Sequence, residues 1–115
     1  MEILIESPHF TLSKDLSEYI IAKVNKLEHL SERLIRSEVC LKLDKSSTAD
    51  NKICEIKLLG PQKNLFASER STTFEDAVTE TIHALEKQLR KLKTKREKGR
   101  EKLQVEDSSE EETAE

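Results

Sequence analysis

Tryptophan is absent, and the 115 residues include one tyrosine, three phenylalanines, two glycines, two prolines and two cysteines. Four aromatics are too few for a platform that stacks successive unpaired bases, which argues against sequence-specific reading of a single strand. With so little glycine there is no phosphate-cradling loop of the GxxxxGK[ST] type, so nucleotide hydrolysis by that device is excluded. No apolar run reaches 18 residues and no charged-then-apolar leader opens the chain. Neither a membrane span nor a secretory signal is therefore indicated, and a cytoplasmic location is expected. Cys40 lies out of phase with Val39, Leu41 and Leu43, whereas Cys54 lies in phase with Ile56 and Leu58. On neighbouring strands the two thiols would face opposite sides of a sheet, which disfavours a disulfide, and without a nearby histidine pair they make a weak metal site.

What the chain does have is one long segment, Phe74 to Lys102, that reads as a single helix. Phe74, Val78, Ile82, Leu85, Leu89 and Leu92 recur at steps of three or four and draw one apolar stripe. From Lys87 to Lys102 the bases are Lys87, Arg90, Lys91, Lys93, Lys95, Arg96, Lys98, Arg100 and Lys102, against Glu97 and Glu101, a net charge of +7. At about 100° per residue, Lys87, Arg90, Lys91 and Lys98 fall opposite the leucines. The segment thus carries an anchoring face and a cationic face, and beyond Leu92 it is expected to project past the core. Gly99 is a point where it can end or fray.

The net charge of −3 hides this asymmetry. Residues 104–115 hold six acids and no base, so the remainder has 20 bases against 17 acids, or +3. We expect a folded domain over residues 1–98 and a charged, disordered tail over 99–115. The tail serves solubility, or folds back on the basic helix as a tethered competitor.

Glu2 to Glu6 reads as a first strand, ended by Ser7-Pro8. Ser13 is a plausible N-cap with Asp15 in the first turn, and Leu16, Tyr19, Ile20, Val24, Leu27 and Leu30 give a helix from Lys14 to Ser31. Its polar face carries Lys23 and Lys26. Ile35 to Asp44 alternates as a half-buried strand with Ile35, Val39, Leu41 and Leu43 inward. Lys52 to Leu59, with Cys54, Ile56 and Leu58 inward, is the next strand, closed by Gly60-Pro61. Asn64 to Ser71 is a fourth strand, and its Phe66, like Tyr19 and Phe74, is expected to fill the core. The long helix has two candidate caps, Thr72 with Glu75 or Thr73 with Asp76. The resulting fold class is α+β: a two-layer β-α-β-β-β-α domain with a four-stranded sheet and two helices packed on one face. The first two strands can run parallel, the last three form an antiparallel meander, and the other sheet face, with Glu38, Lys42, Glu55 and Lys57, meets solvent.

No convergent acid, base and nucleophile set is visible. His9, His29 and His83 are separate and read as solvated or packed imidazoles, so an enzyme is not expected, nor is a cofactor, metal or small-molecule substrate. The concentrated feature is the cationic surface. Side by side, the two helices would present Lys23, Lys26, Lys87, Arg90 and Lys91 as one ridge, extended by Lys93, Lys95, Arg96 and Lys98. Phosphate backbones suit such a ridge, because each Lys or Arg contact releases condensed counterions and gives sequence-independent, salt-sensitive affinity. Recognition should follow the shape of a folded RNA.

With this order of elements, the chain resembles the ribosome hibernation-promoting factor and ribosome-associated inhibitor family over residues 1–98. The resemblance is carried by Ala22-Lys23-Val24-Asn25-Lys26-Leu27-Glu28, by Val39-Cys40-Leu41-Lys42-Leu43 and by the basic run from Leu85 to Lys95. It implies binding to ribosomal RNA of the small subunit, in the channel for messenger and transfer RNA. The implied function is ribosome-associated inhibition of translation that stabilises inactive ribosomes during stress or stationary phase, by a short-form member that is monomeric off the ribosome. By position, Lys23, Lys26, Lys87, Lys91, Lys93 and Lys95 match the family's basic residues, and Arg90 stands where many members have a polar one. Phe74 precedes the position, that of Glu75, where the family often has an aromatic. Two other readings compete: a structured-RNA-binding module of the double-stranded-RNA-binding type, whose fold begins with a helix, and an adaptor for an acidic protein.

Overall fold

Ser13 starts the first helix by accepting a hydrogen bond from the Leu16 main-chain N–H at 3.1 Å, satisfying one of the donors a helix N-terminus leaves free. The computed structural model describes residues 1–101 apart from Glu32, Ser47, Thr48 and Gln62, with the side chains of residues 93–101 lying outside the description. The elements run β1 (Glu2–Glu6), α1 (Lys14–Asn25), a 3-10 turn (Lys26–His29), β2 (Arg36–Leu43), β3 (Lys52–Leu59), β4 (Asn64–Ser71) and α2 (Phe74–Glu101). They form one sheet in the order β1-β2-β3-β4, with β1 parallel to β2 and the other pairs antiparallel.

Both helices cover the same face. The core is Leu16, Ile20, Val24 and Leu27 from the α1 region, Val39 and Leu41 from β2, and Cys54, Ile56 and Leu58 from β3. Leu65 and Ala67 of β4 and Ala77, Val78, Ile82, Leu85 and Leu89 of α2 complete it. Cross-strand register explains the cysteines: Cys54 pairs with Leu41 on the covered face, whereas Cys40 pairs with Glu55 on the open one, and both thiols are free. The parallel β1–β2 pair requires α1 to cross over and return. Contacts at the far ends, Met1 N to Glu28 at 2.6 Å and Gln88 to the Phe66 carbonyl at 3.0 Å, show that each helix runs back along the strand before it. The helices therefore lie roughly parallel to one another.

Several local expectations are corrected. Phe66 faces the open side of the sheet and is 54% exposed, because Leu65 and Ala67 hold the inward phase of β4. Ile35 precedes β2 and is 57% exposed, since Arg36 is the first residue paired with β1. The first helix leaves α geometry at Asn25 and tightens into the 3-10 turn, which still buries Leu27. Helix α2 passes Gly99 and is assigned to Glu101. Its cap is Thr73, whose hydroxyl accepts from the Asp76 N–H at 3.1 Å. Phe74 follows directly and stacks on Phe10 at 4.7 Å between centroids, binding the β1–α1 loop to the start of α2. Asp50, at φ 51, turns the chain between β2 and β3, a left-handed conformation that aspartate tolerates better than most residues.

Candidate nucleic-acid interface

The solvent face of α2 changes sign along its length. Glu75, Asp76 and Glu80 are exposed in its first half, where acids suit the positive end of the helix dipole, and Lys87, Arg90 and Lys91 are exposed in its second. The change follows from phase, because Leu85 and Leu89 are fully or nearly fully buried and turn the intervening bases outward. Beside this helix, α1 presents a half-buried Lys23, and the 3-10 turn presents an exposed Lys26. Among the described residues, none of Lys23, Lys26, Lys87, Arg90 and Lys91 makes an ion pair within 4.0 Å. These five cations keep their charge available to a ligand.

The two helices meet at a polar contact that the apolar stripes gave no hint of. Tyr19 Oη lies 2.7 Å from Thr79 Oγ1, and the Lys23 ammonium lies 5.4 Å from the centre of the same ring. The spacing Tyr19 to Lys23 is one turn and was readable from the sequence, but the Thr79 partner, 60 residues away, was not. Lys93, Lys95, Arg96 and Lys98 stand on the last turns of α2, and their side chains lie outside the described residues. The expectations for the tail likewise fall outside them from residue 102 onward.

Other titratable groups are occupied structurally. His9 Nδ1 accepts from the Leu43 N–H at 3.1 Å and so ties the first loop to the end of β2, while His29 and His83 are exposed. Asp44 accepts from the hydroxyl and N–H of Ser46 and from Arg70, which together hold its carboxyl below the usual aspartate range. Lys42 is raised, first by its hydrogen bond to Glu55 at 3.1 Å. Burial pushes the Cys54 thiol up to about 12, and burial also raises Cys40, so neither is a ready thiolate. Among the described residues no group of three His, Cys, Asp or Glu side chains is placed to hold a metal ion, and no helix is long and apolar enough to cross a membrane.

The family model described as sigma 54 modulation protein / S30EA ribosomal protein matches residues 3–97, most of the chain and nearly all of the folded part. The chain belongs to this family. Among solved structures, the fold is similar to a ribosomal subunit interface protein from Coxiella burnetii, with a TM-score of 0.74 at 21% identity over 82% of this chain and 99% of that one. It is similar also to the N-terminal domain of Thermus thermophilus Protein Y, with a TM-score of 0.70 at 17% identity over 80% and 99% of the two chains. At these identities the two structures support the S30EA-type fold alone. No individually curated protein is matched by sequence. The family match spans α1 and the basic stretch of α2 up to residue 97, so the cationic face lies within the matched residues.

Proposed function

We propose that the chain is a ribosome-associated translation inhibitor that seats its two-helix cationic face on ribosomal RNA of the small subunit. There it occupies the channel for messenger and transfer RNA and stabilises inactive ribosomes during stress or stationary phase. The observation that carries this reading is the set of a half-buried Lys23 and exposed Lys26, Lys87, Arg90 and Lys91, without ion pairs among the described residues, on a domain of the S30EA family. Lys93, Lys95, Arg96 and Lys98 extend the same set toward the end of α2. The domain over residues 1–98 acts as the binding unit, in the cytoplasm, as a monomer when off the ribosome, and the charged stretch 99–115 begins within the last turn of α2, which runs to Glu101.

Such a mechanism needs no bond to be made or broken. A rigid helix pair that places the main chain of its cations before binding loses little backbone freedom when it meets phosphates, and each contact releases counterions. Inhibition follows from exclusion, since a channel filled by protein does not admit messenger or transfer RNA.

Cosedimentation with purified small subunits tests the reading. Binding should be retained in dilute buffer, fall as salt rises, and be competed by messenger or transfer RNA. A protein of the double-stranded-RNA-binding type would instead bind any duplex RNA equally. The first element here is the strand β1, not the helix with which that module begins.

A further inference from the structure

Tyr19 belongs to α1 but is referenced to α2. Thr79 has a single hydroxyl hydrogen and donates it to the Glu75 carbonyl at 2.9 Å. The 2.7 Å contact between Tyr19 and Thr79 therefore runs one way, with the tyrosine O–H donating and Thr79 Oγ1 accepting. A main-chain carbonyl of α2 thus orients the hydroxyl that in turn fixes the phenol ring. Over that ring sits the Lys23 ammonium, 5.4 Å from its centre, attracted by the negative face of the π system.

A lysine on a helix surface ordinarily samples many conformations through its four-carbon stem. Here the ammonium at the end of that stem lies over a half-buried ring that is hydrogen-bonded to the neighbouring helix. Lys23 stands about 6 Å along α1 from Tyr19, and Lys87 about 12 Å along α2 from Thr79, at 1.5 Å per residue. With the helices roughly parallel, both cations lie on the same side of the Tyr19–Thr79 contact. Lys26, by contrast, is exposed, and among the described residues no ring lies beneath its ammonium.

We infer that Tyr19 is a positioning residue for RNA binding: it holds the Lys23 ammonium at a fixed place against α2, so that cations from both helices meet phosphates as one preset array. This rests on the reading of the helix pair as the RNA-facing surface. Lys23 supplies the phosphate contact and Tyr19 acts through it. Loss of the ring frees the stem and costs the contact, while the fold keeps its apolar core.

The test uses the full chain with purified small ribosomal subunits as the probe, comparing wild type, Tyr19→Phe, Tyr19→Leu, Lys23→Gln and the double variant Tyr19→Leu/Lys23→Gln over a salt series. A readout free of ribosomes is the proton shift of the Lys23 ε-methylene, which the ring current of Tyr19 moves upfield. Tyr19→Leu is expected to abolish that upfield shift and to reduce the slope of log K against log salt by about 0.7–0.9, the size of one phosphate contact. Lys23→Gln should reduce the slope equally, and the double variant no further. Tyr19→Phe, which keeps the ring but loses the hydrogen bond that ties it to Thr79, should fall between wild type and Tyr19→Leu in both shift and slope, and the melting temperature of every variant serves as the folding control. A Tyr19→Leu slope equal to wild type, or a Lys23→Gln slope equal to wild type, overturns the inference. If wild type itself is not retained by subunits in dilute buffer, the RNA-facing reading fails, and the ε-methylene shift still decides whether Tyr19 holds Lys23.

Discussion

Gln88 of α2 donates its side-chain amide to the main-chain carbonyl of Phe66, 3.0 Å away on β4. β4 is an outer strand, and the unpaired groups of an edge are a template for further pairing. The contact therefore closes one edge carbonyl and fastens α2 to the sheet one residue beyond Lys87, at the level where the helix turns basic. The rod that carries the cations is clamped where its charge begins.

Replacing Gln88 by Ala should lower stability by about 0.5–1 kcal/mol, the low end for a hydrogen bond, because the carbonyl is open to water once released. The urea midpoint should fall with the m-value unchanged. A loss above about 2 kcal/mol would show that the clamp supports more than one exposed bond.

Thr73, not Thr72, caps α2. Thr73→Ala should cost about 1 kcal/mol, which for a domain of this size lowers Tm by roughly 4–8 °C, while Thr72→Ala should stay within about 0.5 kcal/mol. Thermal melts of the two single variants distinguish the caps, and equal losses would contradict the assignment.

Cys54 gives the domain a defined alkaline weakness. Burial raises its pKa to about 12 in the folded state against 9.0 for the free group, so between those values the unfolded chain loses a proton that the folded one keeps. The contribution is complete below pH 9 and is lost as pH rises toward 12, at up to about 1.4 kcal/mol per unit. Cys54→Ala should flatten this part of the stability profile, measured by urea unfolding from pH 8 to 11. Native protein should also leave Cys54 unmodified by iodoacetamide until it unfolds.

Most of the architecture was legible because each element carries a clear period and few glycines or prolines interrupt it. The phase of β4 was not. Phe66 is the largest apolar residue of that strand, yet α2 passes close over this side of the sheet, burying Ala77 and Thr81, and the small Ala67 takes the inward place. Thr81 shows the same closeness, since its hydroxyl, bonded to the Ala77 carbonyl at 2.7 Å, also reaches the Cys54 carbonyl of β3 at 3.3 Å. No periodicity in a single chain reports how near two layers will pack. Of the candidate interface, Lys87, Arg90 and Lys91 followed from their phase against Leu85 and Leu89. The tie between Tyr19 and Thr79 is a tertiary contact between one polar group on each helix, which neither stripe encodes.

The most direct measurement is cosedimentation of the Lys87→Glu/Lys91→Glu/Lys95→Glu variant with small ribosomal subunits, beside wild type and with the melting temperature of both recorded. Wild type should be retained in dilute buffer and the variant lost, with Tm changed by less than about 4 °C because these positions lie off the apolar stripe. Retention of the folded variant equal to that of wild type would contradict the assignment of α2 as the RNA-binding rod.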